Sequence, residues 1–308
     1  MIQTSEIRVD YGEVTAVSDL SLSIDTGEVF GLIGPNGAGK TSLIRVLATL
    51  GEPTYGNAIV AGFNIFEDRT KARRQIGYMP DLAPVFKDIR CWEFLDLFAA
   101  AYGILRNDRR RRIDEVLEVV DLTTKRTAMA GTLSRGMTQR LVLAKTLLHD
   151  PAVLLLDEPA SGLDPIARID LRNLLRDLSA RGKTVLISSH ILSDLNDFCS
   201  SIGIMEKGRL ALSGSIDDLV GRLNTTRRYI VQTIGSAAAV AEVLSARQGV
   251  FAVEHDRSSC EFACSLDDEG IAAVLCELVR ANSPIIAFHE QKRGVEDLLI
   301  QAGATEVS

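Results

Sequence analysis

Gly34-Pro35-Asn36-Gly37-Ala38-Gly39-Lys40-Thr41 decides how this chain folds. The octapeptide has the spacing G-x-x-x-x-G-K-[ST] of a phosphate-binding loop. That spacing carries weight only between a strand and a helix, and the flanks predict both. Val29-Phe-Gly-Leu-Ile33 is an apolar run of strand length, and Ser42-Leu-Ile-Arg-Val-Leu-Ala-Thr-Leu50 reads as a helix. Gly34, Gly37 and Gly39 carry no Cβ, so successive backbone N–H groups can turn toward one anion. The helix start adds unpaired donors and the positive end of its dipole. Lys40 is long enough to reach β- and γ-phosphates, and the Thr41 hydroxyl is a ligand for Mg²⁺. Pro35, Asn36, Ala38 and Ser42 complete the candidate phosphate-binding set.

Composition narrows the class. The 308 residues suffice for one large or two medium domains, and 46% hydrophobic with 24% charged residues is an ordinary globular balance. A net charge of −7 argues against a general nucleic-acid binder, so no nucleic-acid partner is expected. No apolar stretch approaches the ~20 residues that span a bilayer. Met1-Ile-Gln-Thr-Ser-Glu6 lacks a basic and then apolar signal region. The expectation is a cytoplasmic protein, or one peripheral on the inner face of the cell membrane through a partner. Cys91, Cys199, Cys260, Cys264 and Cys276 are scattered and odd in number, which predicts free buried thiols.

Upstream of the loop, Ile7 and Val9, then Leu20, Leu22 and Ile24, alternate as strands do around a turn at Tyr11-Gly12-Glu13. Tyr11 is on spacing alone either a stacking platform for an adenine ring or a half-buried tyrosine at a strand end. Downstream, 51–81 is rich in turns, with a strand predicted near 57–60. Ile76-Gly-Tyr-Met-Pro-Asp81 reads as a strand ended by proline. Asp81 there is either part of a turn or an acid at a strand's C-terminal end, where open α/β sheets place their sites. Residues 89–121 show helical spacing, with Trp92, Leu95, Phe98 and Ala99 and then Val116, Val119 and Val120. Arg109-Arg-Arg-Arg112 between them reads as a solvated helix face balanced by Asp114, Glu115 and Glu118 rather than as a patch for phosphates or anionic lipid.

A second half of the site lies more than a hundred residues on. Ser134 in Leu133-Ser-Arg-Gly-Met-Thr-Gln-Arg140 is a natural N-cap, and the helix start it caps is another anion site. Val153-Leu-Leu-Leu-Asp157-Glu158 describes a buried parallel strand with a charged tip. Asp157 there suits Mg²⁺ through water, and Glu158 suits the general base that takes a proton from water attacking a γ-phosphate. Lys183-Thr-Val-Leu-Ile-Ser-Ser-His190 is a further buried strand; a lone histidine is usually a satisfied polar residue, but one at a strand tip beside the acid strand is better placed to touch that phosphate.

The order Tyr11, GPNGAGKT at 34–41, LSRGM at 133–137, LLLDEP at 154–159, SGLD at 161–164 and His190 resembles the nucleotide-binding subunit of an ATP-binding cassette (ABC) transporter over residues 1–222. The resemblance implies an α/β P-loop NTPase cassette, with a RecA-like core, an antiparallel β subdomain and a helical subdomain at 85–150. It implies that Tyr11 stacks on adenine, Lys40 and Thr41 bind phosphates and Mg²⁺, Glu158 polarises water and His190 is a switch histidine. It also implies that Ser134 and Gly136, with Arg135, Met137 and Asp164 in the same motifs, face the ATP held by a second subunit. The working unit is then a homodimer or heterodimer with two sandwiched ATPs, joined to a separate transmembrane permease subunit that docks near Trp92–Phe98 and Asp81. The flavour of 76–105 points to an exporter of the ABC-2 kind; the alternative is a soluble ABC ATPase outside transport. Two residues depart from the family pattern. Asp81 stands where glutamine is usual, and as a metal ligand it adds negative charge and cannot donate a hydrogen bond. Arg135 and Met137 replace the commoner glycine and glutamine of the signature.

The cassette pattern stops near Gly221, and Arg222-Leu-Asn-Thr-Thr-Arg-Arg228 reads as a short polar linker to an accessory domain at 223–308. Strands are predicted at 229–234, 251–255, 260–264 and 284–289, and helices at 236–246, near 271–278 and from 295 to 300. The β-α-β-β-α-β order suggests a small α+β ferredoxin-like unit. His255, Cys260 and Cys264 invite a metal reading, but Cys260, Phe262 and Cys264 share one strand face, which favours packed core thiols.

Overall fold

The computed structural model describes residues 1–82, 84–191, 195, 198–223, 226–281 and 283–291. These divide into two compact units, Met1–Ile216 and 217–291.

In the first unit, β1 (Ile2–Tyr11) and β2 (Val14–Ile24) form an antiparallel hairpin. The apolar run Val29–Ile33 is β3, and every residue of it is buried. The helix after the phosphate loop is α1 (Lys40–Leu47); it starts earlier and ends sooner than the apolar spacing suggested. Next come β4 (Tyr55–Val60), β5 (Phe63–Asn64), α2 (Arg69–Gln75) and β6 (Ile76–Met79). The helical stretch divides into α3 (Cys91–Ala101), α4 (Arg106–Val119) and α5 (Arg135–Leu147). Then follow β7 (Val153–Leu156), α6 (Pro165–Ala180), β8 (Thr184–Ser189), β9 (Ser201–Glu206) and β10 (Arg209–Ser215); α7 (Ile216–Leu223) begins at the last residue of this unit and belongs otherwise to the second.

A four-stranded antiparallel sheet runs β2-β1-β4-β5, and a six-stranded sheet runs β10-β9-β3-β8-β7-β6. All neighbours in the larger sheet pair in parallel except β10 with β9. Strands covered on both faces must be apolar throughout, and β3, β7 and β8 are buried along their whole length. Helix α1 turns Leu43, Ile44, Val46 and Leu47 into one core with Ile7, Val9 and Leu20 of the hairpin and Leu155 and Leu186 of the parallel sheet. Each such fully buried aliphatic side chain stabilises the fold by ~1.5–3 kcal/mol. This shared core fixes the hairpin against the phosphate loop. The strand order places β8 between β3 and β7, so the tips of the three lie side by side.

The arginine run of α4 is a paired helix face, as its acidic neighbours suggested. Arg111 pairs with Asp108 and Glu115, and Arg112 with Glu115 and Asp150. Arg112 also donates to the carbonyls of Leu147 and Leu148, closing the C-terminal end of α5.

The second unit contains β11 (Arg227–Thr233), α8 (Ala238–Ser245), β12 (Val250–His255), β13 (Ser259–Cys264), α9 (Asp268–Arg280) and β14 (Ile285–Glu290). Its sheet order, β12-β13-β11-β14, is antiparallel throughout, the ferredoxin-like arrangement. Tyr229, Phe262 and Phe288 stack in its core with ring centroids 5.3–6.2 Å apart. Cys260 and Cys264 are buried in that core, but Cys276 is exposed on α9, against the expectation of five buried thiols. The linker reading of 222–228 also needs correction. Helix α7 runs to Leu223, and Arg227 and Arg228 already belong to β11. The charge of Arg227 serves ion pairs to Asp268 and Glu290, not solvation of a linker. The helix predicted at 295–300 lies outside the described residues.

Candidate functional site

The loop between β3 and α1 is shaped by what its glycines exclude. A Cβ on Gly34 would lie 2.2 Å from the Met205 carbonyl oxygen, and one on Gly39 2.1 Å from that of Ala16. Gly39 also has φ +101°, a region that side chains rarely enter. At Gly34 and Gly39 the loop is therefore packed against the backbone of β9 and of the hairpin, with no room for a side chain, whereas a Cβ on Gly37 would meet nothing within 4 Å. The Ala16 contact also brings the hairpin end to the loop. Tyr11 stands at that end, opposite Val14, with 56% of its surface exposed. The open ring, not the half-buried alternative, is what the fold presents.

Lys40 is buried, and its Nζ donates to the carbonyls of Gly34 (2.6 Å) and Pro35 (3.2 Å). It also lies 3.5 Å from Glu158 Oε1. Burial pushes its pKa down, while Glu158 and Asp157 push it back up. Two carbonyl oxygens and one carboxylate thus face the buried ammonium group.

The acids sit on the tip of β7. Asp157 is buried, its N–H donates to the Met79 carbonyl of β6, and Oδ1 accepts from the Ser188 hydroxyl at 2.7 Å. Oδ2 has no protein donor among the described residues. Glu158 follows in a left-handed conformation, φ 48°, with its N–H donating to the same Ser188 Oγ at 3.0 Å. Its Oε2 meets His190 Nδ1 at 2.8 Å. Lys40, Glu158 and His190, distant in sequence, therefore form one chain of contacts across the tips of β3, β7 and β8. Thr41, at the exposed start of α1, and Ser42 stand one and two residues beyond Lys40. Ser188 was not among the residues singled out from the sequence. Its only signal is that it is one of two serines ending the buried strand Thr184–Ser189.

Asp81 lies just past β6. Partial burial and the charges of Asp157 and Glu158 raise its carboxyl above the ordinary range, while Arg135 and His190 act against them. It lines a cleft of about 640 Å³ with Leu82, Pro84, Leu133, Arg135, Thr138 and Gln139 among others. Trp92 lines a different cleft, with Asp96, Arg106, Arg109, Arg110 and Arg126. Trp92 and Asp81, both expected near the docking groove, line different clefts.

Ser134 caps α5, its Oγ accepting from the Met137 N–H at 3.3 Å. Gly136 brings this helix start against α6, where an added Cβ would lie 3.3 Å from that of Ala167. Asp164 caps α6 by accepting from the Ala167 N–H at 2.9 Å. The Arg135 guanidinium covers Gly162, where a Cβ would fall 2.1–2.4 Å from its three terminal atoms. Ser134, Arg135, Gly136, Met137 and Asp164 thus form a second group, with no hydrogen bond or ion pair to Lys40, Glu158 or His190 among the described residues.

Comparison with known proteins agrees with this geometry. A family profile described as "ABC transporter" matches residues 17–161. The linearmycin resistance ATP-binding protein LnrL of Bacillus subtilis is 30% identical over 97% of both chains. The bacitracin transport ATP-binding protein BcrA of Bacillus licheniformis is 36% identical over 75% of this chain and 74% of its own. The dimeric structure of MJ0796, a bacterial ABC transporter cassette, superposes with a TM-score of 0.63 at 25% identity, covering 70% of this chain and 98% of that one.

Proposed function

Since this chain belongs to the ATP-binding subunits of ABC transporters and is an ATPase of that family, we propose that it drives a membrane exporter from the site formed by Lys40, Glu158 and His190. The convergence of these three residues at the strand tips is the observation that carries the reading. ATP is the substrate. The Gly34–Thr41 backbone and Lys40 bind its phosphates, with Ser42 beside them, and Tyr11 stacks on its adenine. Glu158 takes the proton of the attacking water, and His190 orients the carboxylate through its Oε2 contact. Thr41, Asp157 and Asp81 would hold Mg²⁺. The free Oδ2 of Asp157 and the oxygen-only donor set fit that hard cation. When bound, Mg²⁺ would supply positive charge to offset the negative charge that builds on the phosphates.

The second group supports a dimer. Ser134, Arg135, Gly136 and Met137 make no polar contact to this chain's own Lys40 or Glu158, which leaves the anion-binding start of α5 for a γ-phosphate on a partner subunit. Asp164 caps the neighbouring helix and acts through that helix start. Among the described residues no helix is long and apolar enough to cross a membrane. Leu82, Phe86, Leu97 and Leu105 are exposed along the helical stretch and offer an apolar contact for a separate transmembrane subunit. Such a partner would hold the chain at the inner membrane face. LnrL and BcrA, named for linearmycin resistance and bacitracin transport, support an exporter of the ABC-2 kind. The second unit, a ferredoxin-like fold from 223 onward in this reading, is an accessory domain.

Pull-down of tagged protein from detergent-solubilised membranes tests this. A stoichiometric multi-span partner that raises ATP turnover is expected. A protein that hydrolyses ATP alone and never brings down a membrane subunit would point to the soluble alternative.

A further inference from the structure

The arginine run of α4 has two faces. Arg111 and Arg112 pair with Asp108, Glu115 and Asp150. Arg106, Arg109, Arg110 and Ile113 stand at i, i+3, i+4 and i+7 and so share the opposite face. That face lines a cleft of about 600 Å³ together with Trp92 and Asp96 of α3 and Arg126 from the loop beyond α4.

Two of the four arginines in this cleft are held in place. Arg126 Nε donates to Asp114 at 2.7 Å, and its guanidinium lies 5.7 Å from the centre of the Trp92 ring. Arg109 Nε donates to the Ile104 carbonyl at 2.9 Å, and its Nη1 lies 3.7 Å from Asp96. Arg106 and Arg110 make no ion pair among the described residues. Four guanidiniums thus stand against the two carboxylates of Asp96 and Asp114, an excess of positive charge in a chain of net charge −7. Like charges gathered in one cleft repel one another, and an anion set among them relieves the repulsion. The planar fork of arginine matches phosphate oxygens two at a time, and a phosphate group has oxygens enough for more than one fork.

We propose that the cleft between α3 and α4 binds a phosphate group, at a second anion site that shares no residue with that of Lys40 and Glu158. Arg106 and Arg110 grip the phosphate oxygens, Arg109 and Arg126 supply fixed charge, and Trp92 forms a wall. The headgroup of an anionic phospholipid and a soluble phosphate compound both present this group.

Binding there is read on the full chain without ATP turnover, so a parent protein lacking ATPase activity would sink the proposed function and leave this site to be decided. Trp92 is the chain's single tryptophan and lines the cleft, so its fluorescence reports occupancy. The signal should change saturably with inorganic phosphate, or with vesicles of phosphatidylglycerol in phosphatidylcholine. Sodium chloride at matched ionic strength and phosphatidylcholine alone should leave it unchanged. A response to phosphate supports a soluble ligand, and a response to the anionic vesicles alone supports a lipid headgroup. Arg106→Gln/Arg110→Gln should raise the half-saturating concentration at least about tenfold with the urea midpoint kept, and Arg106→Lys/Arg110→Lys should raise it less. Lys40→Ala should leave the response intact, which separates the cleft from the phosphate loop. The site is overturned by silence toward both probes, by an equal response to chloride, by a response the glutamine pair leaves unchanged, or by one that Lys40→Ala abolishes. A response to polyglutamate but to neither phosphate probe would also overturn it, in favour of an acidic protein segment.

Discussion

Ser188→Ala removes one hydroxyl that serves two neighbours. Ser188 Oγ donates to Asp157 Oδ1 at 2.7 Å and accepts from the Glu158 N–H at 3.0 Å, in a residue with no exposed surface. A hydrogen bond to a charged acceptor contributes ~1.5–3 kcal/mol, and a buried N–H left unpaired costs ~1–3 kcal/mol. The alanine side chain has no hydroxyl to desolvate, which returns part of this, so the expected loss is about 2–4 kcal/mol. That is a large share of the ~5–15 kcal/mol that holds a domain folded. Activity falls as well, because the lost bond holds the left-handed Glu158 backbone, φ 48°, from which the carboxylate reaches Lys40 and His190. We expect kcat to drop about tenfold or more, the equivalent of ~1.4 kcal/mol in the barrier. Urea denaturation followed at the single tryptophan, Trp92 on α3 of the same unit, reads the stability, and steady-state ATP turnover reads the site. A loss below ~0.5 kcal/mol, within the range of a neutral surface change, with kcat within about twofold of the parent, would refute the bridging role.

Two further expectations follow from the same geometry. Gly34→Ala and Gly39→Ala place a Cβ 2.2 Å and 2.1 Å from backbone oxygens, whereas one on Gly37 meets nothing within 4 Å. The first two should weaken ATP binding by about a hundredfold, while Gly37→Ala bears only the ~1 kcal/mol left-handed penalty; equal affinities by fluorescent-nucleotide titration would contradict this. His149 is packed on Tyr102 with its Nε2 on the Ile76 carbonyl and Nδ1 buried without a partner among the described residues, and burial lowers its pKa. The unfolded chain therefore binds this proton more readily than the folded one. The stability contribution is present above ~pH 6.5 and is lost as the pH falls through the lower folded value. His149→Phe should flatten the stability slope between roughly pH 6.5 and 5 in urea titrations. An unchanged slope would show that the histidine is not its source.

How much of this was legible depended on whether the signal was local. Gly34–Thr41, the apolar strands and the acids at 157–158 could be read because spacing and periodicity report short-range geometry. The ferredoxin-like order of the second unit followed from the same periodicity, and its sheet order then matched. Ser188 stayed hidden because a serine in a buried strand has no signature until its neighbours on β7 are known. The polar run 222–228 misled because arginine on a strand is solvated or paired depending on distant partners, here Asp268 and Glu290. That Trp92 and Asp81 line different clefts was likewise not legible, because sequence proximity does not say which cleft a side chain lines.

The central claim is that Glu158, held by Lys40 and His190, takes the proton from the attacking water. Glu158→Gln keeps the shape and removes the base. Single-turnover hydrolysis with radiolabelled ATP tests it directly. The account predicts ATP binding within a few-fold of the parent and cleavage slowed at least about a hundredfold, in the range that loss of a general base costs. Cleavage at the parent rate with ATP bound equally well would contradict it.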